Sequence, residues 1–367
     1  MDIDVFTPEY QYLGIISTPT SIMYTEKFQS LGNFELHLPI NQINTSLIKK
    51  DRVLLFDKVN QIAGIVGIIK KSKSTDSTDE LVVTGNLCEE YLYRRICWGL
   101  YTKTGKASDI IKDMVTTQVI SPEDPDRAIP DIILDPAKES VGPSVSFQST
   151  GGVVGENIEN LCSSNSLGFK MKFDATNKQM LFYVYEGTDR TIHQKIVPPC
   201  KFSSVYENIL NLSYSLNSQD WRNVALVAGE GEGLERKMVS VGAGSGKYRK
   251  EVFVDARDLQ STNIDGMTIS EDEYFEMLKQ RGNSRLSELR EAESFDCVVN
   301  SIGNIRYNKD YFLGDTVTIS DAELNIQLNA VVTEAEHTYD SNGESLYITF
   351  GYGQMTLDQK LKTKVVG

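Results

Sequence analysis

The chain has 367 residues, 40% of them hydrophobic and 24% charged, with a net charge of −14. That length exceeds one small core and predicts two to four domains. The composition is that of a soluble globular protein, no run approaches the roughly 18 apolar residues of a membrane span, and the acidic surplus argues against a protein built to grip nucleic acid through its phosphates.

Residues 1–95 read as β. Tyr12–Ile16 and Ser21–Phe28 are separated by a turn at Thr18-Pro19. Phe34, Leu36 and Leu38 alternate with polar neighbours, the period of a half-buried strand. Residues 41–50 form a polar connection with a short helical turn. Apolar runs at Val53–Phe56 and Ile62–Ile69 follow, then a polar loop at Lys71–Glu80 and a strand from Leu81. Many short strands with little helix predict a small antiparallel barrel.

Residues 96–200 change character. A helix is expected over Lys106–Thr117, with Ile110, Ile111, Met114 and Val115 on one face, and a second over Gly155–Ser164. Between them, the four prolines of residues 121–136 allow only a loop or an edge. Phe169, Met171 and Phe173 then alternate, answered across Asp174–Asn177 by Met180, Phe182 and Val184. Two helices and a hairpin make a small α+β domain.

Strands return at Val205–Leu216 and Arg222–Gly229. A glycine-rich segment and a helical stretch, Thr268–Glu293, follow. Ser270 and Glu273 form an S-x-x-E capping box and Ile269 with Tyr274 a staple, and Gly282-Asn283 interrupts the helix. From Phe295 the pattern is strand and turn again: Phe295, Cys297 and Val299, then Val317 and Ile319, then Ile326, Leu328 and Ala330. A hairpin closes on Asn342-Gly343, with Leu346, Ile348 and Phe350 on one face. The resulting organisation is a first β-barrel domain at 1–95 and an α+β domain at 96–200. A second β-barrel is formed by 201–230 and 294–367, around an insertion at 231–293.

Tests for chemistry assign no catalytic, cofactor-binding or metal-binding residue. Gly246-Lys247 would end a phosphate loop, but position 241 is Val and position 248 is Tyr, so the first glycine and the metal-binding hydroxyl are both missing. Gly229, Gly231 and Gly233 alternate with Glu230 and Glu232, which would repel phosphate. His37, His193 and His337 are scattered, and His37 and His337 are expected to face outward from strands. G-x-S-x-G is absent. Glu89-Glu90 and Glu271–Glu273 read as solvated faces. Cys88, Cys97, Cys162, Cys200 and Cys297 are odd in number with no C-x-x-C spacing, so they are expected as buried small hydrophobes rather than a disulfide framework or a zinc site.

In order along the chain, several segments resemble the tail hub proteins of bacteriophages and prophages of Gram-positive hosts. Gly32–Pro39 is similar to the family's G-x-F-x-L-x-L-P strand and Tyr311–Ile319 to its y-x-x-G-D-x-V-x-I turn. Leu92–Ile96, Asn223–Gly231, Tyr274–Gly282 and the closing Val331–Gly353 stretch fall between and after them. The resemblance implies two tail-tube-like barrels that alternate in a homotrimer to form a pseudo-sixfold ring. It implies a structural, non-enzymatic hub without cofactors, with a tail tube or distal tail protein above and a tip, spike or fibre protein below. DNA would pass non-specifically, and nothing would insert into a membrane. The acidic N-terminus, MDIDVFTPEY, lacks the regions of a signal peptide, which fits a virion tail part assembled in the host cytoplasm. Against this stand a peptidoglycan-directed hydrolase, which would need a cleft with carboxylates of raised pKa, and a carbohydrate-binding tip component, which would need an exposed aromatic strip.

Overall fold

Alternating burial organises the first strands. In the computed structural model, which describes residues 1–72, 79–262, 268–299, 304–323 and 326–352, the chain begins with β1 (Ile3–Phe6), β2 (Tyr12–Ile16), β3 (Ser21–Lys27) and β4 (Asn33–Pro39). After helix α1 (Gln42–Leu47) come β5 (Val53–Asp57), β6 (Ile62–Ser72) and β7 (Glu80–Leu87). On β4, Phe34, Leu36 and Leu38 are buried while Glu35 and His37 point to the other face. Asn41 starts α1 by accepting the Asn44 amide at 2.8 Å, which satisfies one of the helix's first free N–H groups. The polar connection expected at Lys71–Glu80 lies largely outside the described residues.

The next stretch holds α2 (Glu90–Tyr93), β8 (Leu100–Lys106), α3 (Ala107–Val115), β9 (Ile132–Leu134), β10 (Ser144–Thr150), α4 (Val154–Ser164), β11 (Leu167–Asp174) and β12 (Gln179–Glu186). The β11–β12 hairpin pairs as its alternation requires, with Phe169 opposite Val184 and Met171 opposite Phe182. The proline-rich stretch contributes β9, a short edge strand parallel to β12. The β8–β10 ladder was not expected. Ile110, Ile111, Met114, Ile158 and Leu161 share one core with Val53, Leu55, Ala63 and Ile65, so this unit packs on the back of β5 and β6.

The remainder forms β13 (Lys201–Ser203), β14 (Ile209–Asn217), β15 (Val224–Ala228), β16 (Met238–Gly242), β17 (Glu251–Asp255), α5 (Glu271–Glu288), β18 (Ala292–Val299), β19 (Thr316–Asp321), β20 (Ile326–Asp340) and β21 (Gly343–Gly351). Three sequence expectations need correcting. Val224–Ala228, read as a strand of the second barrel, pairs instead with β16 and β17 in a three-stranded sheet covered by α5. Helix α5 runs unbroken through Gly282, because Val241 and Val227 press against that turn and a Cβ there would meet their methyl groups at 2.5 and 2.6 Å. In the closing hairpin Asp340 pairs with Gly343, so the loop is Ser341-Asn342 and the positive φ, 112°, falls on Gly343. The N-cap is as expected: Ser270 Oγ accepts the Glu273 amide at 3.2 Å. The Glu273 carboxylate, however, takes the Thr104 hydroxyl at 2.8 Å.

The mainly-β class with α+β parts is as the pattern required. The barrels differ from expectation. Hydrogen-bonded neighbours run β14-β18-β21-β20-β3-β4-β7-β6-β5-β1-β2, with β19 branching from β20 and β13 pairing with β19. Neither half closes on itself among the described residues. The second half of β20 is occupied on one side by β21 and on the other by β3, with His337 opposite Tyr24. Its edge is therefore taken by the other half, and the two barrels become one sheet.

The halves also repeat. β20 shifts register against β21 between Val332 and Glu334, and β6 shifts against β7 between Val66 and Ile68. Gly314 N donates to Val332 O and Val332 N to Asp315 O, at 2.8 and 2.9 Å; Asp51 N donates to Val66 O and Val66 N to Arg52 O, both at 2.9 Å. Gly314 and Asp51 both adopt positive φ, 88° and 60°. The Tyr214–Phe295 pair between β14 and β18 thus corresponds to Tyr24–Phe34 between β3 and β4.

Candidate functional site

Two regions stand out: the face of the long sheet turned away from the cores, and the charged joint between its halves. The register places Glu35, Glu80, Asp296, Glu334 and Glu336 on that face, together with Lys27, Lys70 and His37. Among the described residues of β14-β18-β21-β20-β3-β4-β7-β6, carboxylates outnumber ammonium groups there. Lys27 Nζ lies 3.5 Å from Glu334, and Asp296 accepts the Thr349 hydroxyl at 2.7 Å. His37 sits between two carboxylates, Nε2 2.9 Å from Glu35 and Nδ1 3.1 Å from Glu80. Partial burial opposes its charge, but the hydrogen bonds to Glu35 and Glu80 outweigh this and raise its pKa. Burial and the neighbouring Glu334 raise the pKa of Glu336, against the Thr25 hydroxyl and Lys27.

At the joint, Glu26 of β3 is wholly buried and ion-paired with Lys170 of β11. Tyr307 donates to Glu26 at 3.3 Å, and His337 Nε2 lies 3.5 Å from it. His337, expected to face outward, instead stacks on Tyr24 with ring centroids 4.6 Å apart. Burial opposes the charge on Glu26, yet Lys170 and His337 outweigh it and bring its pKa down to about 2. The same carboxylate raises the pKa of Lys170 against burial. One side chain therefore ties together the first half, the α+β unit and the second half.

Glu89, expected on a solvated face, is buried beside this pair and accepts the Met171 amide at 3.0 Å. Burial pushes its pKa up to about 7, despite that hydrogen bond. A raised carboxylate beside a lowered one is the pattern of an acid–base couple. However, the cavity lined by Glu26, Glu89, Lys170 and Met171 has a volume of about 10 Å³, room for about one water and no substrate. A second anchor is Asp315 of the expected Gly314-Asp315 turn. It accepts Arg190 Nε at 2.6 Å and the amides of Thr188 and Phe312 at 2.8 and 3.0 Å. No signal in the sequence distinguishes Glu26 from other strand carboxylates, or Glu89 from other carboxylates at a helix start; only the contacts with Lys170 and the Met171 amide do.

The other motifs disperse. Gly242 ends β16, and Gly246–Tyr248 is a single 3-10 turn. The backbone of Gly229 runs beneath Tyr274, whose hydroxyl accepts the Glu230 amide at 2.8 Å, which accounts for the glycine. All five cysteines are free and buried. His193 is exposed. No group of three or more His, Cys, Asp or Glu side chains is arranged for a metal ion among the described residues, and no described helix is long and apolar enough to cross a membrane. Exposed aromatics are scattered: Trp98 lies under Arg127, Phe253 beside Arg236, and Tyr206 beside Lys201.

Comparison with known proteins is consistent across two levels. The family model described as Siphovirus ReqiPepy6 Gp37-like protein matches residues 2–352. No curated protein matches the chain. Among solved structures, a tail protein from Neisseria meningitidis MC58 superposes with a TM-score of 0.58 at 12% identity, covering 95% of each chain. The 43 kDa tail protein of prophage MuSo2 from Shewanella oneidensis gives 0.56 at 11% identity, covering 96% of this chain and 98% of the other. Prophage tail protein gp18 from Listeria monocytogenes EGD-e also gives 0.56 at 11% identity, covering 100% and 99%. At such identities the likeness is one of fold, and the three sources do not single out one group of hosts.

Proposed function

The chain belongs to the Siphovirus ReqiPepy6 Gp37-like family, and from that premise we propose that it is the structural hub of a phage or prophage tail. Three copies form a ring that joins the tail tube, or a distal tail protein, to a tip, spike or fibre protein, and DNA or another cargo passes through the centre. The observation that carries this reading is the single sheet made of two repeating halves, joined edge to edge through β20 and β3. A unit whose halves already join in series is suited to continue the series with further copies, because each copy presents one end of its sheet to the next. Eight strands per copy, β14-β18-β21-β20-β3-β4-β7-β6, give a closed sheet of about 24, beyond the roughly 16–18 at which barrels hold an open aqueous channel. An acidic inner face would let a polyanion slide without holding it.

The reading is non-enzymatic. The only paired carboxylates with opposed pKa shifts in the two regions described, Glu26 and Glu89, sit in a cavity too small for a peptide or glycan. Light scattering of the purified protein over a concentration series is expected to reach the mass of three chains. Averaged electron micrographs should then show a ring with a central hole. A protein that stays monomeric at the highest concentration, or that clears purified cell wall on a zymogram, would overturn the reading.

A further inference from the structure

The joint inside one chain is a template for a contact between copies. Ring formation itself rests on the hub reading; which edges meet, and in what register, is a separate matter that the internal joint decides. There, the second half of β20 pairs antiparallel with β3, Glu334 opposite Lys27, Ala335 opposite Glu26 and His337 opposite Tyr24. The matched register shifts of β20 and β6 set Ala335 equivalent to Ile69 and His337 to Lys71. The matched pairs on β3 and β14 set Glu26 equivalent to Leu216 and Tyr24 to Tyr214.

These equivalents have no second strand partner among the described residues. β5 and the two residues before it cover β6 only as far as Val66, so among the described residues the second half of β6 pairs with β7 alone, and β14 with β18 alone. Burial follows the same division. Ala335 and Glu26, at the closed internal joint, are 0% and 1% exposed. Ile69 and Leu216, in the same positions of the repeat, are 40% and 53% exposed. Two bare strand edges carrying apolar side chains are costly in water and available for pairing.

We infer that the second half of β6 in one copy pairs antiparallel with β14 of the next, in the register of the internal joint, so that Ile69 faces Leu216 and Lys71 lies against Tyr214. The occupant of each edge is thus a second copy of this chain, engaged head to tail, because the two edges differ and neither is its own complement. Lys71 takes the place of His337, which stacks on Tyr24 at 4.6 Å, and an ammonium over the Tyr214 ring is a favourable substitute. The internal backbone bond from Phe28 N to Thr333 O, at 2.9 Å, has its counterpart in a bond from Ser218 N of one copy to Gly67 O of the other.

The test uses the full chain with paired cysteines. Ile69→Cys and Leu216→Cys variants, mixed and oxidised with copper phenanthroline, are expected to form a disulfide-linked dimer that neither variant forms alone. Pairing Ile69→Cys with Ser215→Cys, whose side chain lies on the opposite face, should give at least tenfold less. Rings that form by light scattering but give no preference for the first pair overturn the register and leave the ring standing. Absence of both ring and cross-link overturns the hub reading as well. Should a cysteine variant fail to fold, Leu216→Asp supplies a second measurement: it is expected to raise the concentration needed for assembly at least tenfold, and unchanged assembly would count against the joint.

Discussion

Glu26 and Glu89 border the same small cavity and are driven in opposite directions, which makes their pH behaviour separable. Glu89 has a folded pKa of about 7, above its unfolded value near 4.5, so the stability it contributes is present below about pH 4.5 and is lost as pH rises through 7. Glu89→Gln removes that loss. The variant is expected to match the parent in urea unfolding at pH 5 and to exceed it at pH 9 by on the order of 1–3 kcal/mol. Equal midpoints at pH 9 would show that Glu89 reaches solvent when ionised. Glu26 runs the other way: its pKa is about 2, so its stabilisation is present above about pH 4.5 and lost as pH falls through 2. Glu26→Gln leaves the Lys170 ammonium buried without a counter-charge and is expected to cost about 3–5 kcal/mol at pH 7. Adding Lys170→Met should restore most of that loss, since the expense lies in the stranded charge.

Helix α5 shows how packing overrides a local signal. Gly-Asn in mid-helix looks like a stop, because glycine costs about 1 kcal/mol there relative to alanine. Yet Gly282 is where the helix rests on Val227 and Val241, and a methyl group would meet both well inside van der Waals contact, at 2.6 and 2.5 Å. Gly282→Ala is therefore expected to destabilise by about 1–3 kcal/mol in urea unfolding despite its better propensity, and a stabilised variant would refute the contact. The same contrast explains what the sequence could disclose. The strands carrying Phe34, Leu36 and Leu38, or Phe295, Cys297 and Val299, were legible because one face is core and the other solvent. Leu100–Lys106 was not, because its polar residues mask a strand whose partner is Ser144–Thr150. Val224–Ala228 was legible as a strand but not as part of a separate sheet, since pairing partners leave no mark on a strand's own alternation. The Glu26 joint was hidden for the same reason: a buried carboxylate on β3 reads as an outward one until Lys170 is brought to it.

At the scale of the molecule, the decisive quantity is the charge of the face that the ring would turn inward. Glu35, Glu80, Asp296, Glu334 and Glu336 lie on it, opposed by Lys27 and Lys70. Each appears once per copy, so a ring of three copies, as proposed, would carry the imbalance three times over. A polyanion inside such a wall would meet few protein cations, so little counterion release would favour binding. The consequence can be measured by reversing the sign. Glu336→Lys with Asp296→Lys changes two side chains on the sheet's solvent face and leaves the buried Glu26–Lys170 pair intact. In gel-shift and filter-retention assays the parent is expected to retain no duplex DNA at about 0.1 M salt. The variant should retain it with an affinity that falls as salt rises, its logarithmic slope steepening by about 0.9 for each phosphate newly contacted. A parent that already holds DNA as tightly as the variant would mean that this face does not line the passage, and that the cargo meets a different surface of the ring.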